Sequence, residues 1–371
     1  MAAVTSLSQT HLNLSLPSYT FTSSITTPLN NLYLRRRRRK PSNFPAKCSV
    51  NLPLKPSSPA GKSLSTVLQN DPHFFYDAVL SELRRLSGDR DDAFTRFQLS
   101  LASPEASLHR RIAELKEAEC QVAVEDALYM IISYKFSEIR VPLVPSLSRC
   151  VYNGRLEILP SKDWELESIH TPEILELVRE HLSVVLGWKA GSNVSVNWST
   201  TEVRRQHLSQ VYVGSVLFGY FLKSASLRLR LEHNLPPTLE NVPCGNWTPS
   251  PELGSQVTKD VVFGQMGIPG FTSLSQVSER LENTDAKLRC YVTGLDRETR
   301  NVCAKLKSQE GVELIEKHCG ALFGNCSDDK DDVILTSLSS MKRLVLEAVA
   351  FGCFLWDAEQ FIGHIYKLKD N

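Results

Sequence analysis

The sequence predicts an α+β, mostly α-helical protein: two diverged repeats of helix, short strand and long helix, preceded by a helical N-terminal region. Three observations carry that expectation. Two blocks match each other in order, apolar residues inside them recur at helical spacing, and short β-prone runs lie between them. Glu173 to Gly187 (EILELVREHLSVVLG) aligns with Glu310 to Gly324 (EGVELIEKHCGALFG) at an offset of 137, with identities at Glu173/Glu310, Glu176/Glu313, Leu177/Leu314, His181/His318 and Gly187/Gly324. Farther on, Phe218-Gly219-Tyr220-Phe221-Leu222 and Ala225 match Phe351-Gly352-Cys353-Phe354-Leu355 and Ala358 at an offset of 133.

In the N-terminal region, Phe75, Val79, Leu80, Leu83 and Leu86 form one helical stripe. Ile112, Leu115, Ala118, Val122 and Leu128 belong to a second, longer helical stretch. The two prolines of Val141 to Leu147 break that helix. Tyr152 to Leu159 reads as a hairpin turning at Asn153-Gly154.

Ile174, Leu177, Val178, His181, Leu182 and Val185 make one buried face of the first repeat helix. Thr171-Pro172 starts it, Glu173 and Glu176 suit its positive end, and Gly187 stops it. Ser308 and Gly324 punctuate the second copy in the same way. Val196 to Thr200 and Val333 to Ser337 read as the short strands. The FG-x-FL blocks then fall on the long helices. A helical glycine costs about 1 kcal/mol against alanine, so Gly219 and Gly352 point to a close approach by a neighbouring helix.

The first acidic residue is Asp71. The preceding stretch is rich in Ser, Thr, Pro and Asn, carries Arg35 to Arg39 and Lys40, and fits a plastid transit peptide over 1–48, cleaved near Ala46, Lys47 and Cys48. Mitochondrial presequences are the competing class. A nuclear or nucleic-acid patch fits less well, because such tails do not usually begin with a long uncharged, hydroxyl-rich stretch. Residues 49–70 read as a disordered lead-in, 71–235 as the first repeat domain with its N-terminal extension, and 281–371 as the second repeat domain. Residues 236–280 read as a Pro/Gly-rich linker, with six prolines and five glycines between Pro236 and Gly270.

From Asp71 onward the chain holds 33 basic and 41 acidic residues, a net charge of −8. That balance disfavours a general nucleic-acid role. No window reaches the length of a membrane span; Leu344 to Trp356, interrupted by Glu347, and Val211 to Leu222 read as core helices. The cysteines follow no CxxC spacing, and most read as small apolar core residues.

The Arg-rich leader, the paired ELxxxH blocks, and the FGYFL and FGCFL helices, the first followed by Arg228, Leu231 and Glu232, resemble the plant UV-B-induced chloroplast protein family. That family is a domain of unknown function with cyanobacterial relatives. The resemblance covers roughly residues 70–370 and implies a soluble plastid protein with a mostly helical, duplicated domain, without implying a reaction. The second copy lacks the Arg and Leu-Glu tail of the first.

Candidate chemistry is sparse, and no catalytic residue, metal ligand set or cofactor is assigned. His181 and His318 are candidate bases by residue type, yet both lie on apolar helix faces and read as hydrogen-bonded core histidines. Glu176 and Glu313 sit five residues before them, on a different side. His318, Cys319 and Cys326 resemble part of a zinc site without an evident fourth ligand. Asp328, Asp329, Asp331 and Asp332 lack the glycine and bidentate Glu of a calcium loop and read as a solvated turn. Gly264 to Gly270 lacks phosphate-loop spacing.

The function expected is a non-enzymatic, stress-related interaction or regulatory module of the chloroplast stroma with a protein partner. The alternative is an enzyme or small-ligand binder with a pocket between the repeats, where His181 or His318 converges with Arg228.

Overall fold

Helical spacing of apolar residues dominates what is observed. The computed structural model describes residues 52–187, 200–234, 288–324 and 333–371. Its elements are α1 (Pro59–Asn70), α2 (Phe75–Leu99), α3 (Ala106–Glu138), β1 (Val151–Tyr152), β2 (Arg155–Leu156), α4 (Asp163–Glu167), α5 (Pro172–Val185), β3 (Thr200–Arg204), α6 (Arg205–Asn234), α7 (Arg297–Ala304), α8 (Gln309–Phe323), β4 (Val333–Ser337) and α9 (Leu338–Gly363). Residues 288–294 are also helical. The described chain is mostly helical with a small sheet, the α+β class that the sequence predicts.

The four strands lie in the order β1-β2-β4-β3. β1 and β2 form the Asn153-Gly154 hairpin, whose turn residues both have positive φ, 51° and 74°. β2 runs parallel to β4, and β4 antiparallel to β3, with Thr200 opposite Ser337 and Arg204 opposite Val333. β3 and β4 each continue directly into a long helix, α6 and α9. The sheet therefore brings the starts of those two helices together.

α6 and α9 cross at the centre of the core. A Cβ on Gly219 would overlap the carbonyl oxygen of Val349, and one on Gly352 the carbonyl oxygen of Val216. The contact is reciprocal, with each glycine meeting the residue three positions before the other. Cys353 Sγ lies 3.3 Å from the Gly219 carbonyl oxygen at the same crossing. Around it pack Tyr212, Tyr220, Leu222, Phe351 and Leu355, all buried.

Polar side chains inside this core hold elements together. Arg343 and Glu347 are both buried and paired at 2.9 Å. Arg343 also donates to the Pro142 carbonyl at 2.8 Å, and the Glu347 carboxylate accepts the Val144 N–H at 3.1 Å. One turn of α9 thereby fixes the proline-containing segment after α3. The Glu359 carboxylate accepts from Tyr220 Oη at 2.6 Å and from the Ser308 hydroxyl, while Ser308 caps α8 by accepting the Gly311 N–H at 3.0 Å. Burial raises the carboxyl pKa of both Glu347 and Glu359.

Residues 59–70 correct the sequence reading, which placed them in a disordered lead-in. They form α1, with Ala60, Leu64 and Leu68 buried at four-residue spacing. Asp126 of α3 accepts the N–H groups of Ser57 at 2.9 Å and Ser58 at 2.7 Å and the Ser58 hydroxyl at 2.6 Å, and Ser58 in turn caps α1. The polar, Ser/Pro/Lys-rich composition masked a short amphipathic helix whose docking depends on a distant carboxylate. Asp126→Ala should cost about 3 kcal/mol, because it leaves buried donors unmatched. Hydrogen exchange should then quicken across residues 59–70, and unchanged protection there would refute the anchoring role.

The second N-terminal stretch is the longer helix that the sequence predicts, Ala106–Glu138. Leu128 is buried, but Ile112, Leu115 and Val122 are exposed, and α3 packs instead through Cys120, Ala123, Val124 and Ala127. Hydrophobicity alone does not select that seam, since its members are mostly small. The first repeat strand is observed at Thr200–Arg204, and Val196 to Ser199 lie outside the described residues. The leader 1–48 and the linker 236–280 also lie outside them. The described parts on either side of the linker share one hydrophobic core.

Candidate functional site

The two matched histidines take matched places. His181 stacks on Phe218 with ring centroids 4.2 Å apart, and His318 stacks on Phe351 at 4.5 Å. His181 Nε2 lies 3.0 Å from Ser215 Oγ, whose hydroxyl donates to the Val211 carbonyl at 2.8 Å. With that proton committed, Ser215 accepts, so Nε2 carries the hydrogen. His318 Nε2 lies 3.0 Å from Tyr212 Oη in a fully buried contact. Burial lowers the His181 pKa to about 4 and the His318 pKa to about 3. Both rings are neutral at pH 7, and each uses a nitrogen to bond a core hydroxyl on α6.

Convergence with Arg228 does not occur. Arg228 is on the surface, bonded through Nε to Glu232 at 2.9 Å, and Tyr291 Oη donates to the same carboxylate at 2.9 Å. Ser215 and Tyr212 mark where the histidines touch α6, and Arg228 lies about 20 Å or more beyond them at 1.5 Å per residue. Glu176 is exposed, and Glu313 accepts from Gln121 at 3.0 Å and Gln309 at 3.2 Å, away from the buried His318. Cys319 is buried, its thiol pKa pushed up to about 12. Cys326, the aspartates at 328, 329, 331 and 332, and Gly264 to Gly270 lie outside the described residues. Among the described residues no group of three or more His, Cys, Asp or Glu is placed to hold a metal ion.

What the sequence reading did not single out is the distal half of the α2–α3 hairpin. Its base is buried through Phe75, Val79, Leu83 and Leu86 of α2 and Ala123 to Ile132 of α3. Toward the tip, Phe94, Leu99, Leu101, Leu108, Ile112 and Leu115 are all exposed. One side of this arm forms an open groove lined by Phe94, Phe97 and Ala113 together with Arg110, Glu114 and Glu117. The C-terminal residues brace the groove. Arg90 lies 4.2 Å above the Tyr366 ring and donates to the Lys367 carbonyl, and Lys369 pairs with Glu117 at 3.1 Å. Ile112 and Leu115 lie on the other side, with Asp89, Asp92, Lys116 and Glu119. The signal in the sequence was the clustering of large apolar residues among Arg and Glu between Phe94 and Leu115.

The family model described as "Protein of unknown function (DUF760)" matches residues 107–235 and 287–362. The chain belongs to this family. A UV-B-induced chloroplastic protein of Arabidopsis thaliana is 36% identical over 336 residues, which cover 86% of this chain and 78% of that protein. No solved structure matches significantly. The DUF760 match takes in α3, both histidines and both crossing glycines, and starts after α1 and α2. No helix among the described residues is long and apolar enough to cross a membrane.

Proposed function

We propose that this DUF760 protein is a non-enzymatic interaction module of the chloroplast stroma, and that its α2–α3 arm is the docking element for a stromal protein. The observation that carries the reading is the arm itself. Large apolar side chains stand in water on both of its sides, whereas Arg343, Glu347, Glu359 and the two histidines each bond a neighbouring element of the core. Unpartnered apolar clusters of this kind mark association surfaces. The acid-free, Arg-rich leader and the chloroplastic relative support the compartment, and that relative's UV-B induction supports a role under stress. The leader is removed on import in this reading. The two helix–strand–helix units descend from a duplication, supported by the reciprocal glycines and the matched His–Phe stacks. A ligand pocket between the units has no comparable support, since α6 and α9 meet backbone to backbone there.

The test is affinity purification of the tagged full chain from chloroplasts beside a Phe94→Glu variant, which charges the groove and leaves the core untouched. The expected result is a stoichiometric stromal protein retained by the wild type and lost by the variant. Retention of nothing above background, or equal retention by both, would overturn the arm as docking element.

A further inference from the structure

The side of the arm opposite the Phe94 groove carries a second pattern. Leu108, Ile112, Leu115, Glu119 and Val122 follow alternating four- and three-residue steps, the spacing of a coiled-coil seam. The four apolar members are exposed by 58%, 43%, 50% and 36%. α3 meets α2 through a different seam: Cys120 Sγ lies 3.6 Å from the Leu86 carbonyl oxygen, and Lys116 Nζ 3.7 Å from the Asp89 carboxylate. Ala106, His109 and Ala113, also partly shielded, continue that line toward the tip. The distal half of α3 therefore turns small and polar residues toward its own hairpin partner and its larger apolar residues toward solvent.

The charges on the apolar seam run in one order. Arg111 lies toward the tip and Glu119 toward the base. A second α3 laid antiparallel about Leu115 places Leu108 against Val122 and Arg111 beside Glu119. A parallel arrangement would bring Arg111 to Arg111 and Glu119 to Glu119. The face is thus self-complementary in one direction only.

We infer that this face of α3 binds a second copy of the chain, arm against arm and antiparallel, with Leu115 on the two-fold axis. The inference extends the interaction-module reading but uses the opposite side of the arm, so the two can fail separately. From Leu108 to Val122 the seam is about 21 Å long. That is short of a standard interface, so the dimer is a reversible one of roughly micromolar affinity.

The test is sedimentation velocity on the purified full chain over a concentration series, with circular dichroism to confirm folding. The wild type should pass from monomer to dimer. Leu115→Glu should weaken association at least about 30-fold at unchanged helicity and melting temperature, since Leu115 lies half in water. Arg111→Glu should weaken it severalfold, and adding Glu119→Arg in the same chain should restore it, because the reversed pair meets again across the axis. A chain that stays monomeric throughout, or a dimer indifferent to Leu115→Glu, overturns the inference. A dimer in which Arg111→Glu is not rescued overturns the antiparallel order. A monomer that still retains a stromal protein through the Phe94 groove defeats self-association and leaves the proposed function standing. A dimer that retains nothing does the reverse.

Discussion

Gly352→Ala should destabilise the protein by about 3 kcal/mol or more, and Gly219→Ala by a similar amount, the scale reached when atoms are forced into a closed core. On helical propensity alone both changes should stabilise, by up to about 1 kcal/mol each. Sterics reverse the sign. The methyl group on residue 352 would fall inside the Val216 carbonyl oxygen and 2.8 Å from the Tyr220 nitrogen. On residue 219 it would meet the Val349 carbonyl, with the carbon at 2.8 Å. These neighbours are backbone atoms in the middle of long helices, so neither can rotate away. Relief requires α6 and α9 to separate where the core is most deeply buried, which would strip contacts from Tyr212, Tyr220, Phe351 and Leu355. Gly88 and Gly214 supply the control. Both lie within helices with nothing within 4 Å of an added Cβ, so Gly88→Ala and Gly214→Ala should be neutral or mildly stabilising. Urea denaturation of the four variants checks the set. If Gly352→Ala unfolds at the midpoint of Gly88→Ala, the backbone-to-backbone crossing is wrong.

That crossing is also where the sequence was most legible. A glycine at the same place in two similar FG-x-FL blocks has few physical explanations, and close helix packing is the strongest of them. The Asn153-Gly154 hairpin and the strand at Val333–Ser337 were similarly readable, because turn chemistry and β-branched runs act over a few residues. Relations that depend on distant partners were not. Nothing near Ser58 announces that the carboxylate of Asp126 caps its segment, and Glu347, visible as a charge in an apolar run, gives no hint of its bonds to Arg343 and Val144. The arm was missed for a related reason. Periodicity places Ile112 and Leu115 on a long helix, but that states only that a helix exists. Which face meets α2 was settled by Cys120, Ala123 and Ala127, whose small side chains let the helices approach. The histidines were legible as core residues because they recur on apolar faces, while their hydroxyl partners on α6 required the fold.

Acid should weaken this protein well above the range in which ordinary carboxylates titrate, and His318 should account for a separable share of the loss. Burial lowers His170 and His181 to about 4 and His318 to about 3, with nearby Lys223 adding to the effect on His170. A folded pKa below the unfolded value means that the folded state binds fewer protons between the two, so stability is complete above about pH 6.5 and declines as pH falls toward the folded value. At pH 5.5 each such histidine has lost about 1.4 kcal/mol, one pH unit below the unfolded pKa. Three together approach about 4 kcal/mol, a large fraction of a typical folding free energy. Glu125, Glu347 and Glu359 act in the opposite sense. Burial raises their pKa values, so the folded state takes up protons through them as the solution is acidified, and part of the loss is offset. The total slope therefore mixes opposing groups, and a single variant isolates one of them. Gln at position 318 keeps a polar partner for Tyr212 and cannot titrate. His318→Gln should start less stable at pH 7.5, because its amide replaces the ring stacked on Phe351. It should then lose about 1.4 kcal/mol less than the wild type by pH 5.5, with the gap widening toward pH 4. Chemical denaturation at half-unit pH intervals measures both curves. Parallel curves would mean that His318 carries its proton in the folded state as readily as in the unfolded one, which a ring enclosed by Tyr212, Tyr129 and Phe351 does not allow.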